Sequence, residues 1–337
     1  MKSGVPGVGV IGTGYWGKNL LRNFAELGAL RAFCDSDEAA RRTHGSRYSQ
    51  VTAYASANEL LADSSVDAIA IATPAATHGT LARQALNAGK HVFVEKPLSL
   101  ELNEAVGLCA RADQLRRTLM VGHLLLYHPA FDALRAVVHD GKLGEIRYVY
   151  SNRASLGKIR REENALWSFA PHDVSMILRL AGTSPERVAC SGGGWLQPPV
   201  TDTSLTHMVF PGGLRAHIFV SWLHPVKEHK LVVVGSEGMA VFDDVQAGER
   251  KLLLYPHSVG WDGDIPSVVK ADAVPIAYDA DEPLARECAH FLDCVVTGRP
   301  PLSDGREGCR VLSVLDACQR SLDSGNTIEL EAVPKVA

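Results

Sequence analysis

Short apolar runs alternate with amphipathic stretches from Val8 to Gly122. Val8–Ile11, Leu30–Cys34, Ala68–Thr73, His91–Glu95 and Leu119–Gly122 have strand length and mostly continuous apolar character. Runs of that kind suit strands buried on both faces of a parallel sheet. Between them, Leu20–Leu27 shows helical spacing and stops at Gly28, and Glu38–Arg47 reads as a polar helix. His78–Ala88 is a helix closed by Gly89, and Glu101–Gln114 supplies another. Strand and helix alternating through short links predict a doubly wound parallel sheet, an α/β fold.

The pattern changes after Gly144. Glu145–Asn152, Thr203–Phe210, Leu214–Trp222, Lys230–Val234 and Gly238–Phe242 read as strands, several with alternation and with turns such as Pro211-Gly212-Gly213. They predict an antiparallel sheet. Helices near Glu282–Thr297 and Gly305–Leu322 and a strand at Thr327–Leu330 complete the chain. Two domains are expected, residues 1–123 and 124–337, with the terminal helices able to pack back on the first.

Bulk numbers narrow the function classes. With 34 Lys and Arg against 38 Asp and Glu, the net charge of −4 gives no reason to expect a nucleic-acid partner. Hydrophobic residues at 46% and charged residues at 21% are ordinary for a soluble globular enzyme. Seven cysteines without a CxxC pair argue against a zinc ribbon or a disulfide framework and suit a reducing cytoplasm. No apolar stretch reaches the length of a membrane span, so no membrane association is expected.

The ends of the predicted strands carry the chemistry, because ligands of such sheets sit outside the carboxyl ends. After the first strand comes Gly12-Thr13-Gly14-Tyr15-Trp16-Gly17, a GxGxxG that opens a helix. Its glycines permit a tight turn, close approach of a pyrophosphate and close helix packing, while the helix start offers N–H groups to phosphates. A Rossmann dinucleotide-binding domain is the expectation. The second strand ends at Asp35, at the offset where an acid binds ribose hydroxyls and favours NAD. Arg41 and Arg42 are near enough in sequence to leave NADP open. Thr73 and Pro74 end the third strand over the crevice; His78 follows as either a cofactor contact or a helix residue.

The fourth strand ends in Glu95-Lys96-Pro97. A lysine there can hydrogen-bond a hydroxyl being oxidised and stabilise charge on its oxygen, with Glu95 orienting it or touching the ribose. The bland alternative is an exposed ion pair. Further on, His172 precedes the helical spacing of Asp173–Leu180, which puts it at a helix start as a general base. Asp173 could instead pair with it. Arg153–Leu166 reads as a loop over the active site. Lys158, Arg160 and Arg161 match an anionic substrate group, or else pair with Glu162 and Glu163. Arg153 and Asn164 are further pocket candidates, and the Trp167 indole can line the pocket by stacking on the nicotinamide of the cofactor or on a sugar face. His207, His217, His224 and His229 lack ligand spacing, so no metal is expected.

Together, VGVIGTGYWG, Cys34-Asp35, ATPAATH (Ala72–His78), VEKPL (Val94–Leu98) and His172 resemble the glucose–fructose oxidoreductase, inositol dehydrogenase and rhizopine-catabolism (Gfo/Idh/MocA) oxidoreductases. The resemblance covers essentially the whole chain. It implies a Rossmann domain joined to an α+β domain with a large open antiparallel sheet, whose outer face commonly forms a homodimer or homotetramer. It also implies NAD(P)-dependent redox chemistry on carbohydrate carbons, with Lys96 and His172 as the catalytic pair. Many polyol-oxidising members carry an aspartate where this chain has Ser168, which weakens an inositol-type reading. The resemblance therefore points to a sugar nucleotide, oxidised at C3 of a UDP-linked N-acetylhexosaminuronate in surface-polysaccharide biosynthesis. Free aldoses or inositols are the alternative substrates. A non-catalytic regulator is the alternative class.

Overall fold

The structure is a computed structural model and describes residues 4–157, 159–161 and 163–330. Among these, one compact unit holds residues 4–127 and 282–312, and a second holds 128–281 and 313–330.

The first unit opens with β1 (Val8–Ile11), α1 (Gly17–Glu26), β2 (Leu30–Cys34), α2 (Glu38–Arg47), β3 (Thr52–Tyr54) and α3 (Ala57–Ala62). It continues with β4 (Ala68–Ile71), α4 (His78–Asn87), β5 (His91–Glu95), α5 (Leu102–Leu115) and β6 (Leu119–Gly122). The strands form a six-stranded parallel sheet in the order β3-β2-β1-β4-β5-β6. This is the doubly wound arrangement, reversing direction beside β1. Val8, Val10, Phe33, Ile69, Val92, Phe93, Val94 and Met120 are all fully buried in it. Each such side chain contributes about 1.5–3 kcal/mol through burial. The pattern analysis misses β3 and α3. β3 has only three residues, two exposed and the third half-buried. α3 has six, started by a capping box in which Ser56 and Glu59 bond each other's backbone N–H.

The second unit begins with α6 (Pro129–His139), β7 (Ile146–Ala154), α7 (Ala165–Ala181), β8 (Arg187–Gly193), β9 (Thr203–Val209) and β10 (Arg215–Ser221). Next come β11 (Glu228–Gly235), β12 (Met239–Asp243), β13 (Leu252–Tyr255), β14 (Ser258–Asp262), β15 (Ile265–Val269) and β16 (Val274–Pro275). Helix α8 (Pro283–Thr297) lies in the first unit. α9 (Gly305–Ser324) starts there and ends in the second, where β17 (Ile328–Glu329) closes the chain. Nine strands form one sheet in the order β16-β13-β12-β11-β7-β10-β9-β8-β17. Its pairs are antiparallel except β7 with β10, which run parallel. Alternate residues of β9 and β10 are buried, the period expected when one face is covered. β14 and β15 form a separate exposed hairpin.

All seven cysteines are buried free thiols. No helix among the described residues is long and apolar enough to cross a membrane.

Candidate active site

In the first unit, the chain leaves β1 through Gly12, whose φ of +86° lies in the left-handed region. A Cβ at Gly12 would sit 2.8 Å from Thr73 Cγ2, and one at Gly17 would sit 1.9 Å from the Gly12 carbonyl oxygen. Both positions are closed to side chains. At Gly14, by contrast, an added Cβ meets nothing within 4 Å, so the backbone there opens outward. α1 starts with no side-chain cap and no acid in its first turn, which keeps its positive end available to a phosphate. Tyr15 is 86% exposed beside this loop.

Asp35, at the end of β2, accepts hydrogen bonds on Oδ2 from the Thr13 N–H and hydroxyl, both at 2.7 Å. Its Oδ1 accepts one from the Asp37 N–H at 3.0 Å. Burial pushes this carboxyl up, but the three bonds outweigh it and hold it below the usual range. Asp35 is thus an ionised acceptor fixed against the glycine loop. Asp37 takes the capping role, accepting from Ala39 N–H at the start of α2. The loop and Asp35 fit the pyrophosphate and ribose of a dinucleotide.

Thr73 follows β4, its hydroxyl 2.7 Å from that of Thr77, and Pro74 is exposed at the start of the next turn. His78 is 1% exposed, with Nδ1 2.7 Å from the Pro97 carbonyl and Nε2 2.9 Å from the Thr73 carbonyl. Both nitrogens face protein, so His78 braces two strand ends. This corrects its reading as a cofactor contact.

β5 carries its apolar core in Val92–Val94 and brings Glu95 and Lys96 out at its carboxyl end. Trp16 Nε1 donates to Glu95 Oε1, which ties this strand end to the glycine loop. Glu95 pairs with Gly122 across the ladder, so Lys96 and His123 leave the sheet side by side. His123 is 2% exposed, and both ring nitrogens are buried without a hydrogen-bond partner among the described residues. Burial, then the charge of Lys96, pushes its pKa down to about 3, so the ring is neutral. On α8, Glu287 is fully buried with both carboxyl oxygens unpartnered among the described residues. Burial and the nearby Glu95 raise it well above the usual carboxylate range, and burial raises Glu95 too. The sequence reading misses both groups. Each left a signal: His123 directly follows a buried strand, and Glu287 shares a helix face with Leu284, Cys288 and Phe291.

In the second unit, α7 begins at Asn164, whose Oδ1 accepts the Trp167 N–H at 3.1 Å. Asn164 Nδ2 and Trp167 Nε1 both donate to Gln319 Oε1, at 2.8 and 3.1 Å. The helix therefore starts eight residues earlier than the spacing of Asp173–Leu180 suggests, and His172 lies in its interior, half-buried. His172 is therefore not at a helix start. Pro171 precedes it inside the helix and offers no N–H to the turn before. Ser168 is buried one turn earlier.

The cations divide sharply. Arg153 is 6% exposed and forms a bidentate pair with Asp173, Nε to Oδ2 at 2.6 Å and Nη2 to Oδ1 at 3.2 Å. Ser151 Oγ also donates to Asp173, at 2.5 Å. Arg153 is a brace for α7, which corrects its reading as a substrate ligand, and Asp173 is spent on it rather than on His172. Arg160 Nε lies 2.9 Å from Glu163 Oε1. Arg161 is exposed, and Lys158 lies outside the described residues. Elsewhere, the ligand atoms of His290, Asp293 and Cys294 fall within 4.8 Å of one another. His290 Nε2 already accepts the Leu302 N–H, however, and Asp293 pairs with Arg299.

Residues 7–123 match an oxidoreductase family with an NAD-binding Rossmann fold, and residues 131–241 match the Gfo/Idh/MocA C-terminal domain. The chain is 29% identical over 306 residues to a UDP-N-acetylglucosamine 3-dehydrogenase of Acidithiobacillus ferrooxidans, covering 90% of this chain and 93% of that one. A solved structure of that kind, from the same organism, is 27% identical with a TM-score of 0.81, covering 94% of this chain and 97% of that chain. A myo-inositol 2-dehydrogenase of Thermotoga maritima is 26% identical over 344 residues, 99% of each chain.

Proposed function

Because the chain belongs to the Gfo/Idh/MocA family of NAD-binding oxidoreductases, we propose that it is a dehydrogenase oxidising the C3 hydroxyl of a UDP-linked N-acetylhexosamine. The observation that carries this reading is Lys96, brought out at the carboxyl end of a buried strand that Trp16 ties to the glycine loop. Bound NAD supplies the hydride acceptor. The Gly12–Gly17 loop and α1 hold its pyrophosphate, and Asp35 accepts from the ribose hydroxyls. Lys96 donates to the reacting hydroxyl's oxygen and stabilises the negative charge that grows there. In this reading His172 is the general base for the hydroxyl proton, and Trp167 and Arg161 are proposed substrate contacts. The product is a 3-keto sugar nucleotide.

The neutral hexosamine is preferred over its uronate because two cations that a C6 carboxylate would draw on, Arg153 and Arg160, are already engaged by Asp173 and Glu163. Full-length likeness to a myo-inositol dehydrogenase supports a free polyol as the second reading; Ser168, in place of an acid, counts against it. A homodimer or homotetramer through the nine-stranded sheet belongs to the same proposal, and light scattering measures it.

The deciding assay follows NAD reduction by absorbance with UDP-N-acetylglucosamine, its uronate, myo-inositol and free hexoses. Turnover with UDP-N-acetylglucosamine above the others is expected. Preference for the uronate would restore the cationic loop as a carboxylate clamp, and preference for inositol would overturn the sugar-nucleotide reading.

A further inference from the structure

The carboxyl ends of the parallel sheet hold the dinucleotide chemistry. The amino ends of β5 and β6 hold a second cleft, of about 370 Å³, wholly within the first unit. Its lining includes His91, Arg116 and Arg117 from the starts of these strands and Arg299 and Arg306 from the α8–α9 connection. Two of the four arginines are spoken for: Arg306 pairs with Asp113 at 2.6 Å and Arg299 with Asp293 at 2.8 Å. The Asp304 carboxylate, also in the lining, accepts the Glu307 N–H at the start of α9. Arg116 and Arg117 have no carboxylate within ion-pair distance among the described residues, and Arg117 Nε is buried without a hydrogen-bond partner there.

The donors converge on an acceptor that the protein does not provide. His91 Nδ1 accepts the Thr118 N–H at 3.0 Å, so the neutral ring carries its proton on Nε2. Arg117 Nη1 lies 3.4 Å from that same Nε2. Two N–H donors therefore face each other, an arrangement that an anionic oxygen between them would satisfy. The backbone adds a second sign. Arg116 ends α5 with φ of 51°, the left-handed position that glycine occupies without strain. A guanidinium is kept there, in the cleft, at the expense of backbone comfort.

We propose that this cleft binds a small multivalent oxyanion, of the phosphate or pyrophosphate type, through Arg116, Arg117 and His91. Planar guanidinium forks match such oxygens bidentately. The site is at the amino ends of the strands and the glycine loop at the carboxyl ends, so the anion and NAD bind together and neither displaces the other.

Isothermal titration calorimetry of the NAD-saturated protein with inorganic pyrophosphate, inorganic phosphate and citrate tests this. One pyrophosphate is expected to bind with a dissociation constant under about 1 mM. Arg116→Gly removes the exposed side chain and suits the left-handed backbone there, so the fold survives; it and Arg117→Gln should each weaken binding by about tenfold or more. NAD affinity should stay unchanged in both variants. Tighter binding of citrate would keep the site and assign its oxyanion to carboxylates. No heat at about 10 mM of any of the three, unchanged affinity in both variants, or loss of pyrophosphate binding when NAD is present would overturn the proposal.

Discussion

Two groups of charged residues attract notice in this sequence, and the protein treats them in opposite ways. At the carboxyl end of β5, Glu95, Lys96 and the neighbouring His123 are crowded into a buried corner where His123 has no partner among the described residues. Around α7, two of the suspected cations are consumed: Arg153 by Asp173, Arg160 by Glu163. Residue type is the same kind of information in both places. What differs is the setting: two cations around α7 lie against carboxylates, whereas Lys96 leaves a strand end beside the neutral ring of His123.

The sharpest test of the contrast is Lys96→Met. Turnover should fall by about 10²–10⁴-fold, the range of a lost acid–base group, while NAD binding measured by fluorescence titration persists. Equal loss of both would make Lys96 part of the cofactor site instead. Next in size is Arg153→Leu, which strands Asp173 in the interior. Urea unfolding should show a loss of about 3–5 kcal/mol, and replacing Asp173 by Leu as well should recover much of it. If the single variant is as stable as the parent, the pair is no brace.

Glu287→Gln probes the buried corner through pH. Its carboxyl is raised in the folded state, so the unaltered protein is favoured by a proton on Glu287 and loses that stability as pH rises above about 4.5. The glutamine variant cannot ionise. Its advantage in urea unfolding should grow between about pH 5 and pH 7.5, by at most about 1.4 kcal/mol per unit. An advantage that is flat with pH would mean the carboxylate finds a partner. The smallest effect belongs to Arg160→Ala, which breaks a half-buried pair near the surface worth about 0–1 kcal/mol. The KM for substrate should move by less than about threefold; a larger rise would show that the guanidinium leaves Glu163 for the ligand.

Much of the frame was legible because buried strands have only one way to read. Val92–Val94 are apolar on both faces, and β5 was found with its bounds intact. The glycine loop was equally plain, since its spacing falls between a strand and a helix and Gly17 is required by its contact with the Gly12 carbonyl nearby in sequence. Pairings made by docking were not legible. Arg153 and Asp173 meet only because α7 packs on the sheet that contains β7, and nothing in their spacing announces it. The start of α7 was misplaced for a local reason: the helical spacing was read only from Asp173 onward, whereas the Asn164 cap and its bond to Gln319 start the helix earlier. His78 failed as a cofactor contact because the carbonyls it bridges belong to separate strand ends.

The seven buried thiols have a practical corollary. Burial lifts Cys34 and Cys294 to about 11, far from the thiolate form that alkylating dyes attack. Cys109 and Cys309 face each other, with sulfurs 3.6 Å apart, rather than the solvent. To a maleimide the native surface is close to blank. One engineered cysteine would therefore accept a fluorophore at a single address, and the domains of this enzyme can be tracked in solution without first stripping out its own sulfur.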